Sequence, residues 1–541
     1  MEKGRIRNLV VGLVAVSLVA AACDFEEQDA ESRRRAAQPE TVDSCGSLLR
    51  QVKRAGRGYV EERSPDILFL PRGTNYVGSA TTSEVSGASD ALARVPLVFF
   101  GPGHVRGNVK VPRPATTADI APTIAGLIGF EGAGRSDGAP LTEALTPNPA
   151  TPRLVISILW DGVGDNVLNE HQRSWRFLKT LKLAGTDVPR MDIGSAPSEP
   201  PAIHTTLGTG VFPSRHGIHG ARVRTGAGEH VDPFGRLDAE NVRAPTLADV
   251  FDRADGNRPV TGMLGSTNSH LGMIGRGSGH PGGDADPAVL VDSSGRLRSN
   301  RSFYDVPRLG SLATLEGAAE VIDSSDGSED GRWRGHRLAD PELRNASPAQ
   351  VRYQQFLLES LVRTGRFGAD DTPDLLFVSF KSAEDAARRW GVTSEETADV
   401  IAAQDRALRR LVAFLDREVG ERRWVISVTA DHGHQPDAAE SGAWAIDGSE
   451  FEADANAALD DNDDGVDLVD DVEPGGVYLN PPQMRLLDLS RDDVAGWIVG
   501  YTVADNLEEG AEVPEAWAGK EDEPLFDGAV VGSRLAATSC S

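Results

Sequence analysis

The sequence predicts a single large α/β domain on a mostly parallel central sheet flanked by helices. Three observations carry this. Five short runs are almost continuously apolar rather than alternating, as in strands buried on both faces: DILFLP (66–71), VPLVFF (95–100), LVISILW (154–160), DLLFVSF (374–380) and WVISVTA (424–430). Helical patterns lie between some of them. The clearest is 396–420, where Ile401, Leu408, Leu411, Val412 and Leu415 recur at helical spacing. Three runs also end in acidic clusters, and open parallel sheets bind ligands at the carboxyl ends of their strands.

The first 22 residues read as an export signal. Lys3, Arg5 and Arg7 precede the apolar stretch Leu9 to Ala22, which is too short to span a bilayer. The ending Ala20-Ala21-Ala22-Cys23 resembles a bacterial lipoprotein signal, with Cys23 as the lipidated residue and Ala20 where Leu is commoner. The expectation is secretion across the inner membrane and a lipid anchor in the cell envelope, in the periplasm or on the outer surface. The membrane is then a partner through the anchor only. Residues 23–59 are expected to form a tether, polar and aperiodic in 24–44. With a formal net charge of −27, the chain is a poor partner for duplex nucleic acid, whose phosphates need Lys and Arg.

The strand ends hold the chemistry. LVISILW runs into Asp161, WVISVTA into Asp431-His432-Gly433-His434, and DLLFVSF through Lys381 into Glu384-Asp385. A lone Asp after a strand is commonly a helix cap. Carboxylates and an imidazole from several strands at one edge make a site for a divalent metal such as Zn, Mg or Mn.

With "LVISILWDGVGDNVL", "PPAIHTTLGTGVFPSRHGI" and "VISVTADHGHQPDA" in this order, the chain resembles the alkaline phosphatase superfamily, in its type I phosphodiesterase/nucleotide pyrophosphatase branch. The likeness covers most of residues 154–505. It implies that Asp161, Asp431 and His432 hold one metal. A second metal is held in relatives by an Asp and a His from one motif plus a late His. Here Glu384 stands at that Asp, Arg388 at the first His, and Glu84 near the place of the late His. Relatives carry a nucleophilic Thr in Pro-Ser-x-Thr-Pro-Ala-x-His. This chain has Pro200 at that position, and Ser198 is the nearest hydroxyl. Proline has no side-chain hydroxyl. The resemblance places His204, His216, His219 and His434 beside the site rather than on the metal.

Two consequences stay open. Phosphoester hydrolysis is weak or lost, leaving a scaffold that binds a phosphoester small molecule or an envelope partner. Alternatively, the chain is a one-metal phosphodiesterase, phosphatase or sulfatase in which Lys381 and Arg388 supply charge in place of the second metal, and Ser198 or a metal-bound water attacks.

The order of the text is unusual. The stretch 95–145 is similar to what normally closes this family, and 64–76 to the strand before it, yet both precede Asp161. The expected organisation is therefore circularly permuted. Residues 60–145 are the displaced C-terminal part, 146–153 a Pro-rich linker, and 154–541 the main part, with 60–145 completing the sheet. Permutation would place Cys45 near Cys540, and in an oxidising envelope these two are expected to pair. Finally, Asp460, Asn462, Asp464, Val466 and Asp471 fall at positions one, three, five, seven and twelve of a calcium loop, with Gly465 at six. Asp in place of Glu at the last position weakens that reading, and a plain acidic loop is the alternative.

Overall fold

The computed structural model describes residues 44–82, 85–147, 150–309, 313–462, 464–507 and 510–535, with only the backbone described for 44–48 and 326. Cys23, Glu84 and Cys540, and the side chain of Cys45, lie outside the described residues. From Gln51 onward the described residues form one compact unit.

Its main element is a nine-stranded mixed sheet. From one edge to the other it runs Leu297–Arg298, Ala288–Val291, Thr261–Gly265, Asp374–Phe380, Leu154–Trp160, Trp424–Thr429, Leu97–Phe100, Thr186–Asp187 and Val109–Lys110. The four strands around Leu154–Trp160, from Ala288–Val291 to Trp424–Thr429, run parallel to it. All seven residues of Leu154–Trp160 are buried, as the continuous apolar run requires. One apolar cluster packs the helices Pro348–Thr364 and Glu395–Leu415 against one face through Leu358, Leu361, Leu408 and Leu411. A second covers the other face through Ile120, Ile124, Ile203 and Leu207. The architecture is the α/β one the apolar runs predicted. Among the described residues no helix is long and apolar enough to cross a membrane.

Two of the five runs go elsewhere than a purely parallel sheet. Leu97–Phe100 joins the large sheet, but antiparallel to Trp424–Thr429. Ile67–Pro71 leaves it for a four-stranded antiparallel sheet with Val469–Glu473, Gly476–Leu479 and Phe526–Val531. A continuous apolar run records burial on both faces, not strand direction or sheet identity. That smaller sheet has its own core, centred on Phe69, Phe451, Tyr501 and Phe526.

The tether expected up to residue 59 ends earlier, because Ser44–Gly58 is a helix. Within it Arg54 is buried. It donates to Asp192, Asp90 and the carbonyl of Ala88, bonds that charge composition alone does not reveal.

Candidate active site

Strand register builds the site. Asp374–Phe380 and Trp424–Thr429 flank Leu154–Trp160, with Phe380 opposite Trp160 and Thr429 opposite Leu159. Asp161, Lys381 and Asp431 therefore leave the sheet at one level. The chain turns sharply at Gly162 (φ +70°), where a Cβ would come 2.5 Å from His434 Nε2 and 2.9 Å from Glu384 Cβ. Only glycine lets these groups close so tightly. Its amide donates to Asp431 Oδ1 at 2.9 Å, tying two strand ends together.

Asp161 is buried, with Ser379 Oγ donating to its Oδ1 at 2.6 Å and His270 Nε2 to its Oδ2 at 2.8 Å. The proton on His270 is fixed by its other nitrogen. The amides of Ser266 and Thr267 both point at Nδ1, each at 3.1 Å. An amide N–H can only donate, so Nδ1 accepts and Nε2 carries the hydrogen. Burial lowers the pKa of this ring, outweighing the charge of Asp161, which agrees with a neutral donor. Sequence reading missed His270. Its signal was faint: a His five residues beyond the short apolar strand Thr261–Gly265, with no second motif residue beside it.

Asp431 is also buried. Its Oδ1 accepts from the amides of Gly162 and His432, both at 2.9 Å, and its Oδ2 from His204 Nε2 at 3.1 Å. Burial would raise its pKa, but His432 and His204 hold it well below the usual carboxylate range. Burial likewise opposes a proton on His204, yet the hydrogen bond and charge of Asp431, with Asp161 and Glu384 behind, raise its pKa. His432 donates from Nδ1 to the carbonyl of Gly433 at 2.8 Å. Its Nε2 presents a lone pair when the ring is neutral. That atom is buried without a hydrogen-bond partner, 3.3 Å from Asp431 Oδ2.

His432 Nε2 beside the carboxylate of Asp431 is an arrangement suited to a metal. Among the described residues the metal-sized group at this site is Asp161 with His204 and His270, whose ligand atoms lie within 4.8 Å of one another, and no such group joins Asp161 to Asp431 and His432. His270 nevertheless drops out as a ligand, because its Nε2 carries the hydrogen given to Asp161.

Glu384 stands beside this group with a cation of its own. It pairs with Lys381 Nζ, while Arg388 stays 3.8 Å from its Oε1 and is 40% exposed. Burial would raise Glu384, but Lys381 and then His432 hold it down to about 2. The sequence put Arg388 in the place of a cation. Lys381 makes the closer pair, since one helical turn from the strand end brings Glu384 back over it.

The family model of type I phosphodiesterase / nucleotide pyrophosphatase matches residues 155–487. The chain belongs to this family. A crystal structure of wild-type alkaline phosphatase PafA superposes with a TM-score of 0.50 at 15% identity, covering 71% of this chain and 85% of that one. A quadruple mutant of PafA gives 0.49 at 16%, over 71% and 86%. At 15% identity the likeness to wild-type PafA speaks to the fold alone. No curated protein matches the sequence.

In this phosphodiesterase-family chain the hydroxyls nearest Pro200 are engaged. Pro200 is the first residue of the helix Pro200–Thr209, a position where its missing N–H costs nothing and its fixed φ suits the helix. Ser198 Oγ is buried and donates to the carbonyl of Val85 at 2.6 Å. Thr205 and Thr206 donate back to the carbonyls of Pro201 and Ala202. His204 reaches Asp431, as described. His216 bonds Thr206, His219 bonds the hydroxyl of Tyr478, and the carbonyl of His434 accepts from Asn166.

The acidic loop at 460–471 does not gather its carboxylates. Asp460 accepts from Gln483, Asp464 from Asn462 and from the amide of Val466, and Asp471 pairs with Arg222 and His230. The twelfth position lies on the strand Val469–Glu473, whose pairing sets where Asp471 points. Among the described residues no metal-sized group of acidic side chains forms there.

Proposed function

We propose that this chain is an envelope lipoprotein that binds one divalent cation and a phosphoester, with hydrolysis weak or lost. One observation carries the reading. The donor set of Asp161, Asp431 and His432 persists, while the helix it faces begins with Pro200 and Ser198 Oγ is tied to Val85. A cation bound there would supply positive charge to a phosphoryl oxygen. The chain itself positions that charge: Gly162 and His432 fix Asp431 through their amides, and Ser379 and His270 fix Asp161. Lys381, paired with Glu384, adds a second fixed charge where relatives carry another metal. The same lysine favours the rival reading of a retuned one-metal enzyme, in which it stabilises charge developing on a phosphoryl or sulfuryl group.

Hydrolysis of a bis-aryl phosphate with Zn, Mg or Mn, alongside metal analysis, tests the choice. The expected result is bound metal with turnover near background. Zinc-dependent turnover abolished by Asp431→Ala overturns it in favour of the enzyme.

The permuted order of the chain is part of the same proposal. Its support is that Leu97–Phe100 and Val109–Lys110 lie in the large sheet, with Leu97–Phe100 beside Trp424–Thr429 despite their distance in sequence.

A further inference from the structure

A second group of acids meets at the opposite edge of the sheet. Asp252 is on the helix Leu247–Ala254, and Asp284 and Asp286 lie on the Gly-rich loop ahead of the strand Ala288–Val291. One carboxylate oxygen from each lies within 4.8 Å of the others. Asp286 Oδ2 accepts from the hydroxyl of Thr261 at 2.5 Å, at the start of the strand Thr261–Gly265. The site described above stands at the other end of that strand.

This group lacks a cationic ion-pair partner among the described residues. Asp252 is 4% exposed and its Oδ1 has no hydrogen-bond partner. Among the described residues no Lys, Arg or His forms an ion pair with any of the three. The neighbouring Asp249 is held by backbone amides and faces His280. Buried charges are normally paired or bound to a metal. Burial, then the charge of Asp284 and a hydrogen bond shared with it, push Asp252 up to about 7. Burial, with Asp252 and Asp284 behind, pushes Asp286 up to about 8 despite the Thr261 hydroxyl. Both shifts express the same unmet demand for a positive partner.

We propose that Asp252, Asp284 and Asp286 hold one hard divalent cation, calcium in the first instance. The donors are oxygen throughout, which suits calcium or magnesium and not the softer metals. The exposed Asp284 leaves room for the waters such an ion keeps. The bound ion would clamp the helix Leu247–Ala254 to the loop before Ala288–Val291. It would thereby brace the segment that carries His270.

The test uses the purified full chain, stripped with chelator and titrated with calcium by calorimetry and by thermal unfolding. One calcium is expected to bind and raise the melting temperature. Asp284→Asn, at an exposed position, should weaken binding at least tenfold. Asp252→Asn should abolish the calcium-dependent shift and raise the melting temperature of the stripped protein, because it removes repulsion. Binding should survive Asp431→Ala and Asp464→Asn, which separates this site from the one at the other sheet edge and from the loop at 460–471. Calcium binding that both Asp252→Asn and Asp284→Asn leave intact overturns the proposal, as does the absence of any shift with calcium or magnesium.

Discussion

His270 Nε2 donates to Asp161 Oδ2 across 2.8 Å, its ring held in that tautomer by two backbone amides. The imidazole thus orients a candidate metal-binding carboxylate without itself competing for the cation. Removing such an orienting partner typically weakens metal binding by ~10–100-fold. We expect His270→Ala to lower zinc affinity at the low end of that range, with the circular dichroism spectrum unchanged. His270→Gln should restore part of the loss, because its amide can donate. Unaltered affinity in His270→Ala would show that Ser379 alone fixes Asp161.

Pro200 and Ser198 divide the question of the nucleophile. Ser198→Ala should leave any residual bis-aryl phosphate hydrolysis unchanged, and should cost about 1 kcal/mol of stability for the lost buried bond to Val85. Pro200→Thr places a hydroxyl at the head of the helix Pro200–Thr209. Turnover by that variant should exceed wild type by an order of magnitude or more in steady-state assays with zinc. A Ser198→Ala protein that loses measurable activity would instead make Ser198 the attacking group.

Lys381 and Glu384 form a pair in which the acid is buried and the lysine side chain is 22% exposed. Breaking a buried pair from one side leaves a charge without compensation, at ~3–5 kcal/mol. Partial exposure of the lysine puts the expectation for Lys381→Met near the lower figure, ~3 kcal/mol in urea unfolding. The double variant Lys381→Met/Glu384→Gln should recover most of it. Equal losses in the single and double variants would mean the two groups are not coupled.

His216 and His219 are buried and neutral. Burial lowers both to about 3 in the fold, against 6.5 when unfolded. Between those values the unfolded chain binds more protons than the folded one, so stability falls as pH drops from 6.5 toward 3. Each contributes at most ~1.4 kcal/mol per pH unit over that window. Denaturant midpoints at pH 7 and pH 5 should therefore differ, and His219→Gln should shrink the difference. A variant with the same pH slope as wild type would place the acid sensitivity elsewhere.

Much of the site was legible in the sequence because strand ends are local features. Apolar runs such as 154–160 and 424–430 announce buried strands, and the residue after each must emerge at a sheet edge. That places Asp161, Asp431 and His432 at one edge, whereas their reading as metal ligands and the missing hydroxyl at Pro200 came only from the family resemblance. What the chain does not encode locally is partner choice over long separations. The apolar run 67–71 is equally at home in either sheet, and packing against Phe451 and Phe526 decided for the smaller one. His270 carries no motif, and only the pairing of Thr261–Gly265 with Asp374–Phe380 brings it to Asp161. Register likewise set Asp471 against Arg222 and His230 instead of within an ion-binding loop. Periodicity fixes which residues are buried and where a strand stops. Which buried groups then meet is decided by sheet pairing and close packing, where each contact depends on both partners at once.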